Sequence, residues 1–257
     1  MESIENLEVS QDNGILTIKL NNIRRKNSIT FKVFNKIISM FEKAKTDDSI
    51  KVVYFSSTGD FFSSGSDFNN FNEGSMDELI QMFESFVNSL IEFPKVLIAG
   101  VNGVAIGISF SMLAMFDIVL CSDTAFFQVP FIQTYQTPEA CSSYLFPVIF
   151  GKSMASHLLL NGGPMTAEEA KNLGFVAKIF SNDIFEKDAY EYVKGVAKYP
   201  LKMLNKIKTM INKHSIDYLK KVNKEECVEL RESWNQKEFE NVIAKFAKKK
   251  PSTKPKF

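Results

Sequence analysis

One carboxylate is set apart by its surroundings. Glu139, in "QTPEACSSYLFP" at residues 136–147, lies between a proline and a run of small residues within an apolar and aromatic region. Desolvation disfavours the ionised form of a carboxylate in such a setting, which moves its pKa towards neutrality and suits it to act as a general base or acid. The same residues also read as a helix start, with Thr137 as cap, Pro138 at the first helical position and Glu139 favoured by the helix dipole. The two readings are compatible. Two small-residue turns are the next candidates. "GDFFSSGSDFNNF" (residues 59–71) follows the apolar run "VVYFSS", and "NGVAIGIS" (102–109) follows "KVLIAGV". Turns at the carboxyl ends of buried strands are where open α/β folds hold ligands, and N–H groups that open a helix can stabilise a developing oxyanion. Each could equally be an ordinary strand-to-helix turn, but two in consecutive strand–helix units can converge on one oxygen.

Other chemistries fail on inspection. "FGKS" at residues 150–153 resembles the end of a phosphate loop, yet Phe146 stands where that motif needs glycine. Cys141 has no histidine near it in sequence and reads as a small buried thiol. His157 and His214 read as surface or packing residues. Three cysteines without C-x-x-C spacing and only two histidines argue against a disulfide scaffold, a zinc site or any other metal cluster. Lys and Arg total 31 against 30 Asp and Glu, so the charge balance gives no support for a nucleic-acid or anionic-membrane surface, and an anionic ligand must be met by a local patch.

These residues need a scaffold. The chain has 257 residues, 45% of them hydrophobic, enough to bury a large core. "LEVSQDNGILTIKL" is a hairpin signal around Asn13-Gly14, and "SITFKVFNKIISMFEKAKTDDS" is an amphipathic helix with Phe34, Ile37, Ile38 and Phe41 on one face. "IKVVYFSS" reads as a buried strand, "MDELIQMFESFVNSLIEF" as a helix ended by Pro94, and "KVLIAGV" as the next strand. "IGISFSMLAMF" reads as a helix, and "DIVLCS" and "AFFQVP" as strands. The uncharged residues 96–116 are long enough to span a bilayer, but Gly100, Asn102, Gly103 and Gly107 break them into strand, turn and helix. A short helix stopped at Gly174 and a strand follow, and from residue 182 only helical periodicity remains. The expectation is an α/β core over residues 1–199 and a helical region over 200–257, with no internal sequence repeat. The opening residues resemble neither a secretory signal nor a transit peptide, and the Lys/Pro-rich ending lacks an S-K-L address and reads as a solvated, frayed tail.

Five motifs in order, "RRKNSIT", "FFSSGSDF", "NGVAIGISFSMLAMFDIVLCSDTAFFQVPF", "TPEACSSYLFP" and "MTAEEAKNLGFVAKIF", resemble the crotonase (enoyl-CoA hydratase/isomerase) superfamily across nearly the whole chain. The nearest branch is the type 2 Δ3,Δ2-enoyl-CoA isomerases, whose relatives include the chromodomain Y-like proteins. The resemblance implies a spiral of ββα units, an acyl-CoA thioester as substrate with no separate cofactor, and a homotrimer. It places the oxyanion-holding backbone N–H groups on Ser66 and Ile108. It also places coenzyme A along Arg24, Arg25 and Lys26 and along Ser63, Ser64, Gly65, Ser66 and Asp67, with Asp67 organising the loop. Taken alone, the basic triplet would more often be a solvated turn. The two glutamates with which hydratases of the superfamily position water correspond here to Ser111 and Phe131, so hydration is not expected. Glu139 matches the single glutamate of the isomerases, which implies a one-base proton shuttle in unsaturated fatty-acid β-oxidation. A catalytically weak acyl-CoA-binding scaffold of the chromodomain Y-like type, or another enolate-forming enzyme, is the alternative. The resemblance suggests a peroxisome or mitochondrion; with no targeting signal visible, the cytoplasm stays open.

Overall fold

The computed structural model describes residues 6–72 and 74–248. Strands β1 (Leu7–Asp12) and β2 (Ile15–Leu20) form the expected antiparallel hairpin, with Asn13 and Gly14 at φ 48° and 81° in its two-residue turn. Helix α1 (Phe31–Thr46) buries Val33, Phe34, Ile37, Met40, Phe41 and Ala44 along one face, and the Thr30 hydroxyl caps it by accepting from the Val33 N–H. The fully buried strand β3 (Val52–Ser57) then runs parallel to β2. A short strand, β4 (Phe61–Ser63), precedes α2 (Met76–Ile91), which opens in a capping box of Ser75 and Glu78.

The next two units repeat this plan. Strand β5 (Val96–Val101) is followed by β6 (Val104–Ile106) and by α3 (Ile108–Ser111), which passes into a 3-10 turn over Met112–Met115. Strand β7 (Ile118–Ser122) is followed by β8 (Phe126–Gln128) and, later, by α4 (Ser142–Phe150). The long strands enter one six-stranded sheet and the short ones a second, four-stranded sheet, so each strand–strand–helix unit advances the chain one step along both. The long strands are readable as apolar runs, and β8 falls in the run "AFFQVP" read as a strand. The other strands of the second sheet are not readable, because two or three residues are too few to show a period, and β4 and β6 fall in stretches read above as turns. The uncharged run at 96–116 is divided among β5, β6, α3 and the 3-10 turn, and no described helix is long and apolar enough to cross a membrane.

Helix α5 (Lys152–Ser156), strand β9 (Met165–Thr166) and helix α6 (Ala167–Asn172) lead to β10 (Lys178–Phe180), which joins the large sheet parallel to β7. Four helices complete the described chain. In α7 (Phe185–Ala197), Phe185, Ala189 and Val193 pack on Ile15, Val52, Ile98 and Leu120 of the large sheet. Helix α8 (Leu201–Asn212) is pinned by the buried Lys208, whose ammonium donates to Asp117 (2.7 Å) and to the Lys95 carbonyl (2.8 Å). Asp117 also accepts from the Leu97 N–H of β5 at 2.7 Å. Helix α9 (Ile216–Trp234) packs against α2 and α4 and sends Leu219, Val222, Cys227, Leu230 and Trp234 into the main core. In α10 (Lys237–Lys248), Phe239 meets Phe71 and Trp234 edge and face. The Lys/Pro-rich ending and the first five residues lie outside the described residues.

One local expectation is overturned. Helix α4 starts at Ser142 and not at Pro138, because Ala140 and Cys141 both take left-handed backbone conformations (φ 56° and 60°) that interrupt any helix there. Thr137 caps nothing: its buried hydroxyl has no hydrogen-bond partner. Glu139 therefore belongs to an irregular link between a 3-10 turn at Ile132–Thr134 and α4.

Candidate active site

The basic loop after β2 and the segment after β4 are hydrogen-bonded to each other. The Ile29 N–H donates to the Gly65 carbonyl (2.8 Å), the Asp67 N–H to the Ile29 carbonyl (3.0 Å) and the Ser64 N–H to the Lys26 carbonyl (2.9 Å). Asn27, buried and at φ 54°, pins the loop: its side chain accepts from the Asn22 N–H (2.7 Å) and donates to the carbonyls of Thr58 (2.8 Å) and Phe61 (2.7 Å). Asp67 is also engaged in the loop, accepting from the Ser28 hydroxyl (2.8 Å) and the Asn69 N–H (2.9 Å), with the Arg25 guanidinium 3.5 Å away. Arg24 and Arg25 are exposed, and the Lys26 ammonium lies 4.8 Å from the centre of the Phe61 ring. Residues 24–26 and 63–67, separate in sequence, are thus joined at one surface, on which Ser64 and Ser66 are partly exposed while Ser63, Gly65 and Asp67 are buried beneath it.

That surface abuts the second turn. Gly65, at φ +88°, sits so close to the end of β6 that a Cβ on it would lie 2.6 Å from the Ile106 carbonyl oxygen. The Ser109 hydroxyl accepts from the Ile106 N–H and lies 2.8 Å from the Ser63 carbonyl, tying the two turns together. Gly107 turns the chain into α3 at φ 61°, ψ −131°, a conformation that side chains avoid, while its N–H is held by the Gln128 carbonyl of β8 at 2.9 Å. Among the hydrogen bonds of the described residues, neither the Ser66 N–H nor the Ile108 N–H has an acceptor. The two N–H groups lie on adjoining turns.

Glu139 comes to the same place. It is 5% exposed, and its Oε1 lies 4.0 Å from the position that a Cβ on Gly107 would occupy. Burial, reinforced by the charge of Glu226, pushes its pKa up to about 8. Ser111 and Phe131, which the resemblance matches to the hydratase glutamates, are both buried; the Ser111 hydroxyl donates to the Gly107 carbonyl at 3.3 Å and Phe131 belongs to the core. Cys141 is a buried thiol whose Sγ–H donates to the Leu219 carbonyl at 3.3 Å, and burial raises its pKa. His157 and His214 are exposed, and no group of side chains suited to a metal ion occurs among the described residues.

Sequence reasoning missed Glu226. Its carboxylate, on the buried face of α9, accepts from the Cys141 N–H (2.6 Å), the Ser143 N–H (2.9 Å) and the Ser143 hydroxyl (2.6 Å). A readable signal existed: Leu219, Val222, Cys227, Leu230 and Trp234 recur at helical spacing, and Glu226 falls on that same apolar face. An acid placed there requires donors from elsewhere in the chain.

Residues 10–256 match the enoyl-CoA hydratase/isomerase family. The chain is 40% identical to rat (Rattus norvegicus) enoyl-CoA delta isomerase 2, over 95% of its own length and 63% of that protein's. It is 36% identical to mouse (Mus musculus) enoyl-CoA delta isomerase 3, peroxisomal, over 96% and 79%. It is 32% identical to human (Homo sapiens) testis-specific chromodomain protein Y 1, over 94% and 46%. The chain thus spans less than two thirds of the rat relative. The crystal structure of an enoyl-CoA hydratase/isomerase from Pseudoalteromonas atlantica T6c superposes with a TM-score of 0.88 at 28% identity, covering 97% of this chain and all of that one. An enoyl-CoA hydratase from Mycobacterium avium subsp. paratuberculosis K-10 superposes with a TM-score of 0.87 at 26% identity, over 95% and 96%.

Proposed function

Because the chain belongs to the enoyl-CoA hydratase/isomerase family and has its crotonase fold, we propose that it is a Δ3,Δ2-enoyl-CoA isomerase that works with one base, Glu139. The observation that carries this reading is the buried Glu139 carboxylate beside the Gly107 turn, with serine and phenylalanine where a hydratase has its acids. Ionised Glu139 removes a C2 proton from a 3-enoyl-CoA. The electron pair delocalises onto the thioester oxygen, where the N–H groups of Ser66 and Ile108 hold the charge. The same carboxyl then returns the proton at C4 as the double bond shifts, giving the trans-2-enoyl-CoA. Each of the two donors contributes roughly 2.7–4 kcal/mol to the barrier lowering. A carboxyl with a pKa of about 8 suits both halves of the shuttle, since it binds the proton firmly enough to carry it and releases it readily near neutral pH. Buried Phe131 keeps water away from the intermediate.

Arg24, Arg25 and Lys26 with residues 63–67 are the proposed coenzyme A surface, supported by the hydrogen bonds that join the two segments. The reading extends to fatty-acid β-oxidation in a peroxisome or mitochondrion, the mouse relative being named peroxisomal, and to a homotrimer. The exposed apolar residues Met203, Ile207, Met210 and Ile211 along α8 favour association of copies, and sedimentation would show it. Turnover of trans-3-hexenoyl-CoA, followed by ultraviolet absorbance of the conjugated product, tests the central claim. Conversion should fall by orders of magnitude in Glu139→Gln. Coenzyme A ester binding without turnover in either form would assign the chain to the scaffold role. Equal activity in both forms would mean that another group is the base.

A further inference from the structure

Glu139 sits on a segment with little regular structure of its own. Ala140 and Cys141 follow it in left-handed conformations that cost on the order of 1–3 kcal/mol each and persist only where surrounding contacts over-determine them. Within the segment, the Ser142 N–H donates to the Glu139 carbonyl (3.1 Å), and Cys141 offers no side-chain cap to α4. The fixing contacts come from α9. Glu226 receives the N–H groups on both sides of Ser142 and the Ser143 hydroxyl, and the Leu219 carbonyl receives the Cys141 thiol. Burial raises the Glu226 pKa, while the N–H groups of Cys141 and Ser143 and the Ser143 hydroxyl oppose that shift by favouring the ionised form, and the carboxyl stands in for the missing cap.

We infer that Glu226 is a positioning residue for the base: by gripping the backbone at Cys141 and Ser143 it fixes where the Glu139 carboxylate stands against the Gly107 turn. The inference rests on the reading of Glu139 as the proton carrier. The titratable groups around Glu139 are Glu226 and Cys227 from α9 and Cys141 on its own segment, with Glu84 of α2 facing Cys227; the α3 turn presents Gly107 and no charge. Glu226 is therefore the charge that Glu139 feels, and removing it should make Glu139 ionise at lower pH.

Two measurements on the full chain test this. The first is the carbon-13 titration of the Glu139 carboxyl in protein labelled at glutamate Cδ, assigned by its loss in Glu139→Gln. The second is the pH dependence of kcat and KM with trans-3-hexenoyl-CoA. Glu226→Gln should titrate Glu139 at lower pH than wild type, shift the acid limb of kcat/KM the same way, and lower kcat by roughly ten- to hundredfold with KM little changed, as expected for a misplaced base. Glu226→Asp keeps the charge and should hold the titration near wild type while still lowering kcat. Ser143→Ala removes one of the three donors and should give a smaller loss. An unchanged kcat in Glu226→Gln, whether or not thermal stability falls, overturns the inference and leaves Glu226 a helix cap alone. If wild type does not isomerise the substrate but the titration still shifts, the functional reading fails and the coupling between the two carboxylates stands.

Discussion

At the scale of the residue, the burial of Glu139 makes stability depend on pH. Its folded pKa of about 8 lies above the ordinary 4.5, so between those values the native state holds a proton that the unfolded chain has released. Stability on this account is complete below about pH 4.5 and is lost as pH rises through 8, by about 1.4 kcal/mol for each unit that separates the two pKa values. Glu139→Gln removes the ionisation and keeps the shape. It should melt above wild type at pH 8 and match it at pH 4, which calorimetry at the two pH values would establish; a gain independent of pH would point to packing. The buried setting of Glu139 was legible in sequence because a carboxylate amid Phe, Pro and small residues is shielded from water. Its helical setting was misjudged, since Thr-Pro-Glu has every property of a helix start and only the left-handed pair at 140–141 prevents one. That pair is held by a carboxylate 85 residues away, which no local pattern can reveal.

At the scale of the element, the two turns work as one unit. Gly65 lies against the end of β6, and the Ile106 carbonyl it touches is backbone, which cannot swing aside as a side chain would. Gly65→Ala should destabilise the fold by more than about 2 kcal/mol, from the close contact and the positive φ together, and should abolish turnover even at temperatures where the protein stays folded, because the Ser66 N–H moves relative to Ile108. Urea denaturation alongside an activity assay separates the two effects. A folded, fully active variant would remove Ser66 from the proposed oxyanion site. The long strands and both amphipathic helices of the core were readable from periodicity and caps. Of the second sheet only β8 was, as β4, β6 and β9 are two or three residues long and owe their strand geometry to neighbours brought in by the spiral.

At the scale of the molecule, the C-terminal helices are fastened by buried charge as well as by apolar packing. Lys208 and Asp117 join α8 to the large sheet through a pair largely out of water. Lys208→Met leaves Asp117 buried and unpaired and should cost about 3–5 kcal/mol. Adding Asp117→Asn, which retains an acceptor for the Leu97 N–H, should recover part of that loss. Additive costs in a double-mutant cycle would show that the pair does not interact.

The path of α9 has a consequence in time. Synthesis from the N-terminus completes the strands, both turns and Glu139 well before residues 216–234 emerge, and chains tend to fold as their segments appear. Until α9 arrives, the backbone beyond Glu139 lacks its clasp and the core lacks Leu230 and Trp234. With Glu139 as the proposed base, a nascent chain whose two turns are already joined would therefore remain chemically silent, and competence would switch on late, with the closing of the core.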